Sequence, residues 1–325
     1  MKFWLMSSSS LHTVLGASGA MGYAVLQALQ DRQLPLRGVG RKRRRDDIDW
    51  HTADLLKLEE TQQAIEGASH VYLCAGLPYR TDVWLRDWPL LMQHVIEACL
   101  THDAVLIFLD NVYMYGPAPL EVPFDEHHTQ QPVTQKGWAR YQTANILLEA
   151  VEEQGLKAVI GRSADFYGPF AANSPFYISF LERMLQGKAP QSIATKGIPH
   201  TYAYTLDSGR ALVELALDPS TYGQVWHLPV GPAVTMDEVV QYFNTSLGTH
   251  FQVSYLPPFM RKVLSLFIGP LKEAGQMLYQ YDTEYVMSFE KFKTHFPDFK
   301  ATSYEEGVTA MVASFQEKGA IKSNL

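Results

Sequence analysis

The chain has 325 residues, a formal net charge of −7 and two cysteines, Cys74 and Cys99. The acidic balance argues against a general nucleic-acid binder, and two cysteines in apolar surroundings supply neither a disulfide framework nor a spaced metal motif. No apolar run reaches the roughly 18 residues of a membrane span, so no nucleic-acid or membrane partner is expected. The composition and free thiols fit a cytoplasmic globular protein.

In chain order, MKFWLMSSSS lacks the long apolar region and cleavage site of a signal peptide and reads as a frayed leader or an alternative start. LHTVLG then reads as a strand and AMGYAVLQALQ as an amphipathic helix. PLRGVGR is a second strand, Leu56 to Ile65 a helical segment, HVYLCAG a third strand and WPLLMQHVIEACL a helix. AVLIFLD, the helix Gly137 to Gln154 and the strand LKAVIGR complete an alternating series. Short apolar runs separated by helical patterns predict βαβ units, hence an α/β fold of the Rossmann type, a doubly wound parallel sheet covered on both faces. Beyond Arg162 proline, glycine and aromatic residues become frequent. QVWHLP reads as one more strand and VTMDEVVQYFNTSLG as one more helix, with Thr235 near its start. Val263 to Leu271 reads as a lid or core helix. The expected division is a dinucleotide-binding unit over 11–165 with a returning segment near 195–230. A smaller C-terminal lobe then takes 166–194 and 231–325.

GASGAMG follows the first strand and opens the first helix, with Gly16, Gly19 and Gly22. One glycine permits the turn, one lets backbone approach a pyrophosphate and one lets helix pack on strand. The helix start, through Ser18, Ala20 and Met21, presents N–H groups to phosphate. The second strand ends in GVGRKRRRDD. NAD sites place an acid here, whereas arginine accommodates a 2′-phosphate. Arg41 and Lys42 therefore favour NADP(H) over NAD(H), Arg41 the more because its guanidinium grips phosphate bidentately. Asp54 and Leu55 in TADL are read against the adenine, and Ala75 and Gly76 in LCAG let the third strand's end approach the cofactor.

These segments, with NVYMYGP (111–117), GRSADFYGP (161–169) and HTYAYTLDSGRAL (200–212), make the chain similar to the extended short-chain dehydrogenase/reductases, in their epimerase/dehydratase branch. The resemblance implies an acid/base tyrosine and a lysine four residues later, about twenty residues beyond a Tyr-Gly pair, with a serine or threonine four residues before that pair. Tyr115 and Gly116 form the pair here, and the corresponding positions hold Asn111, Lys136 and Arg140. The usual triad is therefore replaced. Asn111 would orient a substrate oxygen, Lys136 would assist the proton step from beside the cofactor, and Arg140 would hold ribose or phosphate. Tyr113 takes the position where related dehydratases carry an acid, and it is an alternative proton donor. The resemblance also places Tyr167 against nicotinamide and substrate, and Asp165 where related epimerases carry a substrate-binding asparagine. Tyr79 joins these in lining the cleft.

His127 and His128 lie beside Glu121, Asp125 and Glu126 in a polar, proline-containing stretch, and adjacent histidines rarely aim at one ion, so no metal is expected. The resemblance implies a homodimer through the helices after the third and fourth strands, with Leu90, Leu91, Val95, Ile96, Ile146, Leu147 and Leu148 serving either that surface or the core. The reading is an atypical NADP(H)-dependent oxidoreductase acting on a small carbonyl, hydroxyl or activated alkene. A non-catalytic NADP(H)-binding redox sensor is the alternative. A sugar-nucleotide epimerase or dehydratase ranks third, because His200 and Thr201 stand where such enzymes present a diphosphate-binding arginine.

Overall fold

The computed structural model describes residues 10–257, 259–261, 273 and 275–323, the last six as backbone alone. The lid or core helix read over 263–271 lies outside the described residues, as does most of the leader.

The alternation seen in the sequence resolves into β1 (Leu11–Leu15), α1 (Ala20–Asp31), β2 (Leu36–Gly40), β3 (Asp49–Thr52), α2 (Leu58–Ile65), β4 (Ala68–Leu73), α3 (Thr81–Thr101), β5 (Val105–Asp110), α4 (Gln135–Gln154) and β6 (Ala158–Arg162). Then come β7 (Phe166–Tyr167), a π-helical turn (Tyr177–Leu181) running into α5 (Glu182–Met184), β8 (Gln191–Ser192), β9 (Ala203–Tyr204), α6 (Thr205–Leu217), β10 (Val225–His227), α7 (Met236–Leu247) and β11 (Ser254–Tyr255). The last long helix is Tyr304–Ser323.

One seven-stranded parallel sheet runs β10-β6-β5-β4-β1-β2-β3. The order reverses between β1 and β4, and a doubly wound sheet opens its binding crevice at such a point, beyond the carboxyl ends of the strands. Alternate strand residues serve opposite faces. Leu15, Leu106, Phe108 and Ile160 pack with α2, α3 and α4 on one side, while Val14, Ile107 and Val159 pack with α1 and α6 on the other. Burial on both faces explains why these strands read as unbroken apolar runs. A third cluster gathers Phe176, Phe180, Tyr202, Val239, Phe243, Val308 and Met311, with α7 against the C-terminal helix. Thr235 caps α7 through a capping box with Glu238. Among the described residues no helix is long and apolar enough to cross a membrane.

Several elements differ from the sequence reading, which contains neither α6 nor the helix Tyr304–Ser323. The third helix begins at Thr81, seven residues before the apolar run, and carries Pro89 inside it. Proline reads as a first-turn residue because it lacks an N–H, and tertiary packing of Trp84 and Trp88 overrides that signal. The strand Asp49–Thr52 is absent from the reading because only Trp50 in DWHT is buried. Of the helix residues considered for a dimer face, Leu91, Val95, Ile96 and Leu147 belong to the core, and Leu90 is exposed.

Candidate active site

At the switch point the chain turns sharply after β1. Gly16 has φ +83°, and a Cβ there would lie 2.4 Å from the Ala75 Cα, so the ends of β1 and β4 abut. A Cβ on Gly22 would lie 2.3 Å from the Gly16 carbonyl oxygen, which presses α1 onto the turn. The helix opens on Gly19 with no side-chain cap. Its first N–H groups are thus left for an anion. Ser18, Gly19, Ala20 and Met21 line one end of a cleft of about 1420 Å³, and Ala75 and Gly76 form its floor. A glycine cradle and an uncapped helix start fit the diphosphate of a dinucleotide.

Arg41 and Lys42 follow Gly40 at the end of β2 and are exposed. Gly40 lies beside Ser18, whose hydroxyl would be 3.5 Å from a Cβ there. The basic pair therefore stands at the outer edge of the glycine turn. Asp54 accepts a hydrogen bond from the Leu56 backbone at 3.1 Å, folding the approach to α2, and Leu55 is buried beneath it. Arg41, Lys42, Asp54 and Leu55 all lie outside the walls of the cleft.

The other end of the cleft holds Tyr79, Asn111, Tyr113, Arg140, Asp165, Phe166, Glu273 and Tyr281. Asn111 ends the β5 strand's path, and its Oδ1 accepts the Tyr113 N–H at 3.1 Å. That fixes the side chain in the cleft wall. Tyr113 stacks on Trp84 with ring centroids 6.1 Å apart, and its hydroxyl partners that of Tyr79. Burial, reinforced by the neighbouring Tyr79 and Asp165, pushes the Tyr113 hydroxyl well above the usual phenol range. Burial likewise pushes the Tyr79 hydroxyl up and the Cys74 thiol to about 12, leaving that thiol un-ionised.

Lys136 and Arg140 are not an exposed basic helix start. Lys136 is fully buried. Its ammonium donates to the Glu273 carboxylate and, at 3.0 Å, to the Glu273 carbonyl, and it lies 4.3 Å from the Tyr79 ring centroid. Glu273 also accepts the Thr81 N–H at 3.1 Å and hydroxyl at 2.8 Å. Burial pulls the Glu273 carboxyl upward, but the bonds from Lys136 and Thr81 outweigh it and hold the group below the usual carboxylate range. Lys136 therefore clasps Glu273 to the start of α4. Arg140 donates from Nε to Asp110 at 2.8 Å and stacks on Trp88, 4.1 Å from its ring centroid. Its Nε and Nη2 are engaged by Asp110, and the residue lines the cleft.

Asp110 anchors a buried polar chain. Arg162, opposite it in the β5–β6 register, places Nε 3.5 Å from Oδ2. Arg162 also donates to the Tyr115 hydroxyl at 2.8 Å, and that hydroxyl is 2.6 Å from His227 Nε2. His227 Nδ1 lies 2.8 Å from the Ser288 carbonyl. A carbonyl only accepts, so Nδ1 carries the proton and Nε2 accepts from Tyr115. Burial, opposed by the Ser288 hydrogen bond, drives the His227 pKa down to about 3. Burial, with a smaller push from His70, drives His12 to about 4. Both folded values lie below the ordinary 6.5, so both histidines contribute stability above pH 6.5 that is lost as pH falls towards 3 and 4. The expected result is a loss of up to about 1.4 kcal/mol per pH unit per histidine over that window. Denaturant titrations from neutral pH down to about pH 4 check it, and His227→Gln should reduce the slope by one proton's worth; an unchanged slope refutes the assignment.

Tyr167 is corrected outright. The two-residue strand β7 puts Phe166 in the cleft and Tyr167 on the opposite side. There it packs against Phe176, Tyr204 and Tyr304 with 1% exposure. His128 packs edge-on to Tyr115 and Phe124. Asp110, Arg162, Tyr281 and Glu273 were missed by sequence reasoning. The first two end adjacent strands, which is the signal that could have paired them.

The model of the NAD dependent epimerase/dehydratase family matches residues 12–223. A comparison with curated proteins gives no match. Among solved structures, the Bordetella bronchiseptica enzyme WbmH in complex with NAD+ is 18% identical with TM-score 0.75, over 96% of this chain and 100% of that one. The UDP-N-acetylglucosamine 4-epimerase from Bacillus cereus is 16% identical with TM-score 0.77, over 95% and 97%. The Thermotoga maritima UDP-glucose 4-epimerase with UDP-glucose is 19% identical with TM-score 0.78, over 95% and 99%. At these identities the structures share the fold. The family match spans most of the chain and includes the glycine turn, β4, β5 and the clasped helix α4, so the chain belongs to the NAD dependent epimerase/dehydratase family.

Proposed function

We propose that the chain is an atypical NADP(H)-dependent oxidoreductase acting on a small carbonyl, hydroxyl or activated-alkene compound. The observation that carries this reading is a single cleft joining the bare glycine turn to an end offering an un-ionised Tyr113 and the Asn111 amide. Gly16, Gly19, Gly22 and the start of α1 would hold the diphosphate, and Arg41 the 2′-phosphate. When bound, the dinucleotide supplies hydride chemistry. Asn111 donates to the substrate oxygen, and Tyr113 holds the proton. Burial keeps the Tyr113 phenol protonated at neutral pH, the state a general acid needs in the reducing direction, and its raised pKa makes it the weaker acid. The arginines lining the cleft, Arg80 and Arg140, are each paired with a carboxylate. That speaks against a sugar-nucleotide diphosphate as substrate.

Arg41→Ala is expected to weaken NADPH by about tenfold to a hundredfold, the worth of a hydrogen bond to a charged group, and to leave NADH unchanged. Calorimetry with both dinucleotides reads this out, and equal loss for the two overturns the NADP preference. Tyr113→Phe should lower turnover at 340 nm by roughly a hundredfold with NADPH affinity retained; full activity would remove Tyr113 from the chemistry. A second reading, a non-catalytic NADP(H)-binding sensor, draws on one observation: Lys136 and Arg140 are both neutralised by internal carboxylates. Tight NADPH binding with no turnover on any ketone would put the sensor ahead.

A further inference from the structure

Asp165 occupies the wall of the cleft just past β6, on the way into β7. Its side chain is 15% exposed. Oδ2 accepts a hydrogen bond from the Tyr281 hydroxyl and lies 3.7 Å from His200 Nε2. His200 Nδ1 is 3.4 Å from the Gln280 carbonyl. That oxygen only accepts, so Nδ1 carries the ring proton, and Nε2 is a bare lone pair without a hydrogen-bond partner. Burial drives the His200 pKa down, despite the opposing pull of Asp165. His200 is therefore an uncharged spacer, stacked face to face with Tyr281 and Tyr202. The carboxyl thus has a phenol as its hydrogen-bond donor and no lysine or arginine partner among the described residues. Oδ1 receives no hydrogen bond from them either. The surroundings are aromatic: Tyr113, Phe166 and Tyr281 share the wall. A lone carboxyl in such a low-dielectric wall attracts hydrogen-bond donors and cations and repels anions.

We infer that Asp165 is a specificity determinant, selecting oxo compounds that carry a hydroxyl or protonated amine a few ångströms from the reacting carbonyl, and rejecting carboxylated or phosphorylated ones. The inference rests on the oxidoreductase reading and supplies its substrate class. Neutral carbonyl compounds without a donor leave Oδ1 desolvated and unmatched, which costs them the discrimination typical of a site built to bond a substrate group.

Four ketones of one shape test it: 4-aminocyclohexanone, 4-hydroxycyclohexanone, 4-methylcyclohexanone and 4-oxocyclohexanecarboxylate. NADPH binding is first established by calorimetry. kcat and KM are then measured at 340 nm for the wild-type protein and for Asp165→Asn. The same ketones are titrated into the NADP+-loaded protein. The expected kcat/KM order is amine and hydroxyl above methyl, and methyl above carboxylate. Asp165→Asn should cost the amine about tenfold to a hundredfold, improve the carboxylate and narrow the gap between the amine and the methyl ketone. Tyr281→Phe retains the carboxyl and should keep the order, so it carries the test if the asparagine variant does not fold. A methyl ketone at the top, or an equal change in all four, overturns the inference and leaves the oxidoreductase reading standing. Dinucleotide binding with neither turnover nor binding of any ketone overturns the inference as well. Failure of NADPH to bind removes the oxidoreductase reading itself.

Discussion

Asp110→Asn is expected to destabilise the protein by about 3–5 kcal/mol, the cost of stranding buried charge by removing one partner. Its carboxylate is the counter-ion shared by Arg140 and Arg162, and all three side chains are at most 3% exposed. Asparagine has the same shape and keeps one acceptor oxygen, but it takes the carboxylate from two guanidinium groups, that of Arg140 between Trp88 and Phe108 and that of Arg162 over the Tyr115 ring. The loss should therefore far exceed that of an ordinary hydrogen bond. Chemical denaturation of wild type and variant measures it. A loss below about 1 kcal/mol would mean that water reaches the pair and screens it, as at surface ion pairs. Arg162→Met should be milder, because it removes a charge and leaves Asp110 with Arg140 still in place.

Gly16→Ala is expected to abolish dinucleotide binding. Two independent obstacles meet at this residue. Its φ of +83° is a conformation that L side chains rarely adopt, and the new methyl would sit 2.4 Å from the Ala75 Cα, where backbone and not a flexible side chain would have to move. Relieving either obstacle separates β1 from β4 and rotates the start of α1, which destroys the phosphate cradle. Calorimetry should show no heat with NADPH or NADH, and thermal melting should show a stability loss of a few kcal/mol. Gly155→Ala is the control: at the C-terminal cap of α4 its φ of +70° strains an alanine in the same way, but a Cβ there meets nothing within 4 Å and the residue does not line the cleft. Retained binding in Gly16→Ala would separate the glycine turn from the cofactor.

The sheet was legible because each buried strand had to be apolar on both faces, a pattern that helices interrupt at regular intervals. The glycine turn was legible because its geometry excludes side chains at Gly16 and Gly22. Polar pairing was less so. Lys136 reads as an active-site cation beside the cofactor, and its partner Glu273 lies 137 residues later in an apolar stretch with no local signature. Asp110 and Arg162 are ordinary strand-end residues until the register β5–β6 sets them opposite each other. Tyr167 was misassigned because a two-residue strand offers no periodicity to say which of FY faces inward.

The clasp between Lys136 and Glu273 bears on redesign. Placing tyrosine at position 136 and lysine at 140 would exchange two cations for one. Glu273 would lose its ammonium and keep only Thr81, and Asp110 would exchange a guanidinium fork for a single flexible amine. Each replacement is harmful in the background of the present partners and tolerable only after those partners change. The two substitutions are therefore expected to be epistatic with Glu273 and Asp110, and such a graft has to change the four positions together.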